Sequence, residues 1–164
     1  MTNMPERMKE MRLRFRGKPI VLIVENAFPI RELLLEILEG GGFEVLSAAD
    51  GPGAVELAKR EGHRIDLLLT EANPRGMSVQ ELTRELYRLH GRMKILFMAG
   101  KFDERVAFML GDQAERLFLL KPFTRPTLLQ KINDILGCGR TGMELVCRPP
   151  ALPSKTPSLS STSS

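Results

Sequence analysis

Short apolar runs in this chain each stop at residues able to do chemistry. Ile20-Val21-Leu22-Ile23-Val24 is followed by Glu25 and Asn26. Leu67-Leu68-Leu69 leads to Glu71, Ala72 and Asn73, Ile95-Leu96-Phe97-Met98 to Ala99 and Gly100, and Leu117 to Leu120 to Lys121 and Pro122. If these run ends meet, two carboxylates, amide side chains and one lysine share a small pocket, oxygen atoms beside one fixed positive charge.

Other chemistries lack their parts. Neither GxGxxG nor GxxxxGK[ST] follows an apolar run, so the usual phosphate-cradling loops are missing. Gly40-Gly41-Gly42 follows a helical pattern and reads as a C-cap and turn. The two histidines, His63 and His90, fall in a helix-to-strand turn and at a helix end, where solvent exposure is expected. Two cysteines, Cys138 and Cys147, lie outside the expected core and make neither a disulfide framework nor a four-ligand zinc site. No Ser occupies a strand-to-helix elbow, so nucleophilic hydrolysis has little support.

The elements that must position the run ends alternate regularly. A continuous apolar run such as Ile20–Val24 marks a strand buried on both faces. Pro29 to Glu39 reads as a helix whose inner face is Ile30, Leu33, Leu34 and Ile37. Strands are expected at Phe43–Ala48, Leu67–Leu69, Ile95–Met98 and Leu117–Leu120, and further helices at Pro52–Arg60, Ser78–Leu89, near Asp103–Leu110 and at Arg125–Leu136. Ser78 and Glu81 have the spacing of a capping box. Five strands alternating with five helices predict an α/β protein: a doubly wound five-stranded parallel sheet with helices on both faces. In such a sheet ligands lie at the carboxyl ends of the strands, where the polar residues above are found.

Composition agrees with one soluble domain. The 164 residues are 43% hydrophobic and 27% charged, and only 5% aromatic, with no Trp and a single Tyr, Tyr87. Base stacking on aromatic platforms is therefore not expected. The net charge of +4 sits at the ends: Met1–Lys18 carries +4, Gly137–Ser164 +2, and the middle −2. The central domain thus has no positive field for nucleic acid. In the basic N-terminal arm, residues 1–17, Met4, Met8, Met11 and Phe15 recur at spacings of four, three and four, which would place them on one helix face. A short helix lying on the domain or a frayed extension is expected, with a membrane-surface or partner helix as the alternative. The Pro/Ser-rich residues 138–164 are expected to be a disordered tail. No secretory signal or membrane span is expected, which places the chain in the cytoplasm with its thiols reduced.

Taken together, VLIVENAFPIRELLLEILEGGGFEVLSAADGPGAVELA, DLLLTEANPRGMSVQEL, ILFMAG and FLLKPFTRPTLLQKI resemble the receiver domain of two-component response regulators. The resemblance covers about Lys18 to Leu136, implying a receiver-like domain at 18–137 with flavodoxin-like strand order 2-1-3-4-5. It also implies phosphorelay signalling, in which a histidine kinase phosphorylates an aspartate held with magnesium.

Carried over position by position, that chemistry looks damaged. The family's acidic pair falls on Glu25 and Asn26, its phosphoacceptor aspartate on Glu71, and its Ser or Thr after the fourth strand on Ala99. Its lysine survives as Lys121 and its switching aromatic falls on Phe118. The loop after the acceptor departs as well: Pro74-Arg75 stand where the family usually sets proline next to the glycine, here Gly76. Asn26 leaves two formal negatives where the family has three, so Glu25, Asn26 and Glu71 are expected to hold magnesium weakly at best, and no other cofactor is expected. Glu71 extends the acceptor by one bond, about 1.5 Å, and Ala99 has no hydroxyl for a phosphoryl oxygen. The expected protein is a non-enzymatic pseudo-receiver, not phosphorylated at the usual position, in which the longer Glu71 reaches toward Lys121. Two other readings stand beside it: a working receiver with an atypical acceptor, and a small nucleotide-binding doubly wound protein. After Leu136 too little sequence is expected for an effector domain, so output passes to signalling proteins such as a histidine kinase or downstream effector. The implied docking or homodimer face combines the last two helices and last strand, carrying Phe118 with Asp103, Glu104, Arg105 and Lys131 nearby.

Overall fold

A computed structural model of the chain describes residues 17–60 and 64–137. Apart from Gly17, the expected N-terminal arm lies outside the described residues, as do His63, both cysteines and the expected tail. Five strands form one parallel sheet: β1 Ile20–Val24, β2 Glu44–Ala48, β3 Leu67–Glu71, β4 Lys94–Ala99 and β5 Phe118–Leu120, in the spatial order β2-β1-β3-β4-β5. The helices are α1 Phe28–Gly40, α2 Gly51–Arg60, α3 Val79–Leu89, α4 Glu104–Leu110 and α5 Arg125–Leu136. The doubly wound architecture and strand order are those expected. Unannounced by the sequence pattern are a 3-10 turn, Gly111–Gln113, and a one-turn helix, Ala114–Leu117, between α4 and β5.

The continuous apolar runs become strands because a parallel sheet covered by helices offers no solvated face. Val21 to Val24, Leu67 to Leu69 and Leu96 to Met98 are almost wholly buried. α1 supplies Leu34, Ile37 and Leu38 to this core at i, i+3 and i+4. Here the expected inner face needs correction. Leu33 is 55% exposed and Ile30 37% exposed, whereas Leu38 is fully buried. With Leu at 33, 34, 35 and 38 the apolar pattern fits more than one phase, and packing against the sheet selects one.

Caps fix where the helices begin. The Glu81 N–H donates to Ser78 Oγ at 3.2 Å and the Ser78 N–H to Glu81 Oε2 at 3.1 Å, completing the expected capping box. Asp103 caps α4 by accepting from the Arg105 and Val106 amides, and Thr124 caps α5 by accepting from Thr127. α1 ends through Gly41, and Gly42, at φ 92°, turns the chain into β2.

His90 is not simply solvated as expected. Its Nδ1 accepts from the Ile65 N–H at 3.4 Å and its Nε2 lies 3.3 Å from the Ala58 carbonyl, which ties the end of α3 to α2 and the entry of β3. A helix-terminal histidine can satisfy two backbone groups from neighbouring segments, which sequence position alone does not reveal.

Candidate functional site

Parallel pairing sets the C-terminal ends of β1, β3, β4 and β5 side by side. Val24 is opposite Thr70, Glu71 opposite Met98, and Ala99 opposite Leu120. The chain therefore delivers Glu25, Glu71, Ala99 and Lys121 to one edge. Both β3 and β4 run further than expected, so Glu71 and Ala99 are the last residues of their strands. Backbone bonds hold the rim together: the Glu25 N–H donates to Ala48 O, Ala72 N–H to Met98 O, and Lys121 N–H to Ala99 O.

Lys121 organises the side chains. Its Nζ donates to Glu25 Oε2 at 2.7 Å and also to Glu71 Oε1, so one ammonium bridges both carboxylates. Glu25 is buried, its second oxygen accepting from the Ala27 N–H at 2.9 Å, while Arg31 Nη1 donates to the Glu25 carbonyl at 2.8 Å. The Glu71 and Lys121 side chains are each 21% exposed. Asn26 is exposed and adds no charge to this arrangement. The Lys121–Pro122 peptide bond is cis.

The electrostatics divide the two acids. Burial pushes Glu71 up to about 7, and the neighbouring Glu25 carboxylate pushes the same way, against the pull of Lys121. Burial also acts to raise Glu25, but its hydrogen bonds with Glu71, Lys121 and the Ala27 amide outweigh that and hold it below the ordinary carboxylate value. Burial acts to lower Lys121, and the two acids reverse it, keeping the ammonium charged above its ordinary value. Near neutrality the trio takes up or releases one proton at Glu71.

The resemblance to receiver domains implies magnesium at this edge of the sheet. The donors present here fit that ion poorly. The ammonium already occupies the space between the two carboxylates, Asn26 is neutral, and no group of three His, Cys, Asp or Glu among the described residues is arranged for a metal.

The rest of the expected site divides between core and surface. Ala99 is half-buried and offers no hydroxyl. Phe118 is only 5% exposed, its ring 5.6 Å from that of Phe102 at 55°. It is thus a buried residue behind the expected docking face, and not part of its surface. Lys131 is likewise occupied, donating to the carbonyls of Glu115 and Phe118. That face instead exposes Phe108 of α4 (91%), Phe102 (54%) and Leu120 of β5 (49%). The sequence reading missed Phe108 and Leu120 because an apolar residue in a helix or short strand reads as core, and Phe102 because it falls in the connection between β4 and α4. It missed Arg31 too, although a long basic side chain in the first turn of α1 is well placed to reach back to the preceding strand end.

A parallel 2-1-3-4-5 sheet with acids and a lysine at its carboxyl edge defines a class, and comparison with known proteins fixes the family. The model of the "Response regulator receiver domain" family matches residues 21–133. The chain belongs to that family. It is 25% identical over 117 residues to the chemotaxis protein CheY of Bacillus subtilis, covering 71% of this chain and 97% of that protein. It is also 29% identical over 120 residues to the sensor kinase CckA of Brucella abortus, covering 73% of this chain but only 13% of the kinase. Among solved structures, a CheY-like receiver domain protein from Methanospirillum hungatei is 30% identical with a TM-score of 0.63, over 74% of this chain and 95% of that one. A receiver domain protein from Clostridium thermocellum, at 22% identity and a TM-score of 0.64 over 73% of this chain and 95% of that one, shares the fold.

Proposed function

We propose that this receiver is a pseudo-receiver: a non-enzymatic cytoplasmic signalling module, not phosphorylated at Glu71, that works through protein–protein contact. The observation carrying this reading is the double engagement of Lys121 by Glu25 and Glu71. Phosphoryl transfer depends on positioning and on neutralising the charge of the transferred group. In this pocket the cation for that task is already neutralised by protein carboxylates. Glu71 is one methylene longer than aspartate, Asn26 removes a charge beside it, and Ala99 cannot donate to a phosphoryl oxygen.

The trio then joins β1, β3 and the end of β5 in one arrangement without a kinase. Magnesium binding through Glu25, Asn26 and Glu71 is weak at best. Output passes to a signalling partner, a kinase or an effector, over the surface of α4, β5 and α5, where Phe108 and Leu120 supply exposed apolar area. The same surface suits a homodimer.

Incubation with acetyl phosphate and magnesium, followed by intact-mass measurement, tests the reading. The unmodified chain stays unlabelled, and the triple variant Asn26→Asp/Glu71→Asp/Ala99→Thr gains a phosphoryl group. Labelling of the unmodified chain at Glu71 would overturn the proposal and favour a working receiver with an atypical acceptor.

A further inference from the structure

α1 presents an outward face with the wrong composition for plain solvent. Glu32, Glu36 and Glu39 line it, all exposed, and no ion pair engages them among the described residues. Phe28, 62% exposed, lies on one side of this acidic row and Leu33, 55% exposed, on the other. Successive residues turn by roughly 100° about a helix axis, so these five side chains share one side of α1.

The arm of this chain has the complementary composition. Its Met4, Met8, Met11 and Phe15 recur at helical spacing, and Arg7, Lys9, Arg12, Arg14 and Arg16 are interleaved among them. Where the arm joins the domain is also favourable. The Pro19 carbonyl accepts from the Glu44 N–H at 3.0 Å, and Glu44 follows directly on the turn that ends α1. The arm therefore enters beside the C-terminal end of α1, with only Gly17 and Lys18 intervening. Sixteen helical residues extend roughly 24 Å, and the 13 residues of α1 roughly 20 Å. The exposed apolar patch on α4 and β5 is a poorer match: it lies three strands from β1 and carries both charge signs, with Lys101 and Arg105 beside Asp103 and Glu104.

We propose that residues 1–16 dock as an amphipathic helix along the outer face of α1, its Met and Phe stripe lying alongside the acidic row against the exposed apolar side chain there and its flanking basic residues meeting Glu32, Glu36 and Glu39. The docked arm covers α1 against outside partners while leaving the α4–β5 surface open. This is independent of whether Glu71 accepts a phosphoryl group.

Paramagnetic relaxation in the full chain tests the docking. A nitroxide is attached at Glu6→Cys, which helical spacing sets opposite the Met and Phe stripe, after replacing Cys138 and Cys147 by Ser. The α1 amides from Glu32 to Glu39 should broaden strongly and those of α3 and α4 should not. The surface variant Glu32→Lys/Glu36→Lys/Glu39→Lys, its fold checked by circular dichroism, should abolish that broadening. Broadening confined to α4 and β5, none at all, or broadening unaffected by charge reversal would each refute the docking. So would α1 broadening seen only between a spin-labelled and an isotope-labelled copy, which would assign the contact to a second molecule.

Discussion

At the scale of the residue, one lysine between two unequal acids governs the site. Glu71, raised to about 7, binds a proton in the folded chain that it loses in the unfolded one between pH 4.5 and 7. Its contribution to stability is therefore greatest below pH 4.5 and declines as pH rises to 7, where the folded carboxyl finally ionises. The Glu71→Gln variant should lose that decline, seen by calorimetry as a melting temperature that varies less with pH across this window than in the unmodified chain. Carbon-13 NMR should place the Glu71 carboxyl titration near 7. Glu25 behaves oppositely: its lowered value contributes stability above the ordinary carboxylate range, lost on acidification. Removing the shared cation with Lys121→Met leaves the buried Glu25 carboxylate without its countercharge, and should cost on the order of 3 kcal/mol in denaturant unfolding at neutral pH.

At the scale of the element, α1 shows how much the sequence could reveal. Its existence and extent were legible from the run of leucines and the glycines that end it, but its inner face was not. Four closely spaced leucines satisfy several helical phases, and only contact with the sheet decides that Leu38 goes in and Leu33 out. Leu38→Ala should accordingly destabilise the fold by about 3 kcal/mol through an unfilled cavity. Leu33→Ala should change stability by less than about 1 kcal/mol, since its side chain gains little from burial. The capping box of α3 was fully legible, because it depends on residues three apart: Ser78→Ala should cost about 1 kcal/mol. For the site, strand ends named Glu25, Glu71 and Lys121 as neighbours, since parallel topology brings those ends together. The depth of Glu25, the double use of Lys121 and the grip of Arg31 on the Glu25 carbonyl depend on side-chain conformations that spacing does not encode. Phe118 and Lys131 illustrate the same gap, both drawn inward to satisfy packing and backbone carbonyls.

For the whole molecule, the charge and apolar area left outside the core are unevenly distributed. Acids line α1, while Phe108, Phe102 and Leu120 stand out on the opposite flank of the sheet order. Phe108→Glu should weaken self-association or partner capture through that flank without changing the melting temperature, because a side chain 91% exposed contributes almost nothing to folding. Sedimentation velocity and a thermal melt on the same sample check both halves of this expectation.

The two outermost strands bear on how copies of this chain can meet. β5 is three residues long, and its neighbour on one side is β4 alone; β2 closes the other margin and begins at a carboxylate, Glu44. So brief a border offers few unsatisfied amides for an incoming strand, and a charge at the far border discourages one there. Joining end to end into a continuous ribbon is thereby disfavoured, and any pairing has to be made by side chains meeting side chains.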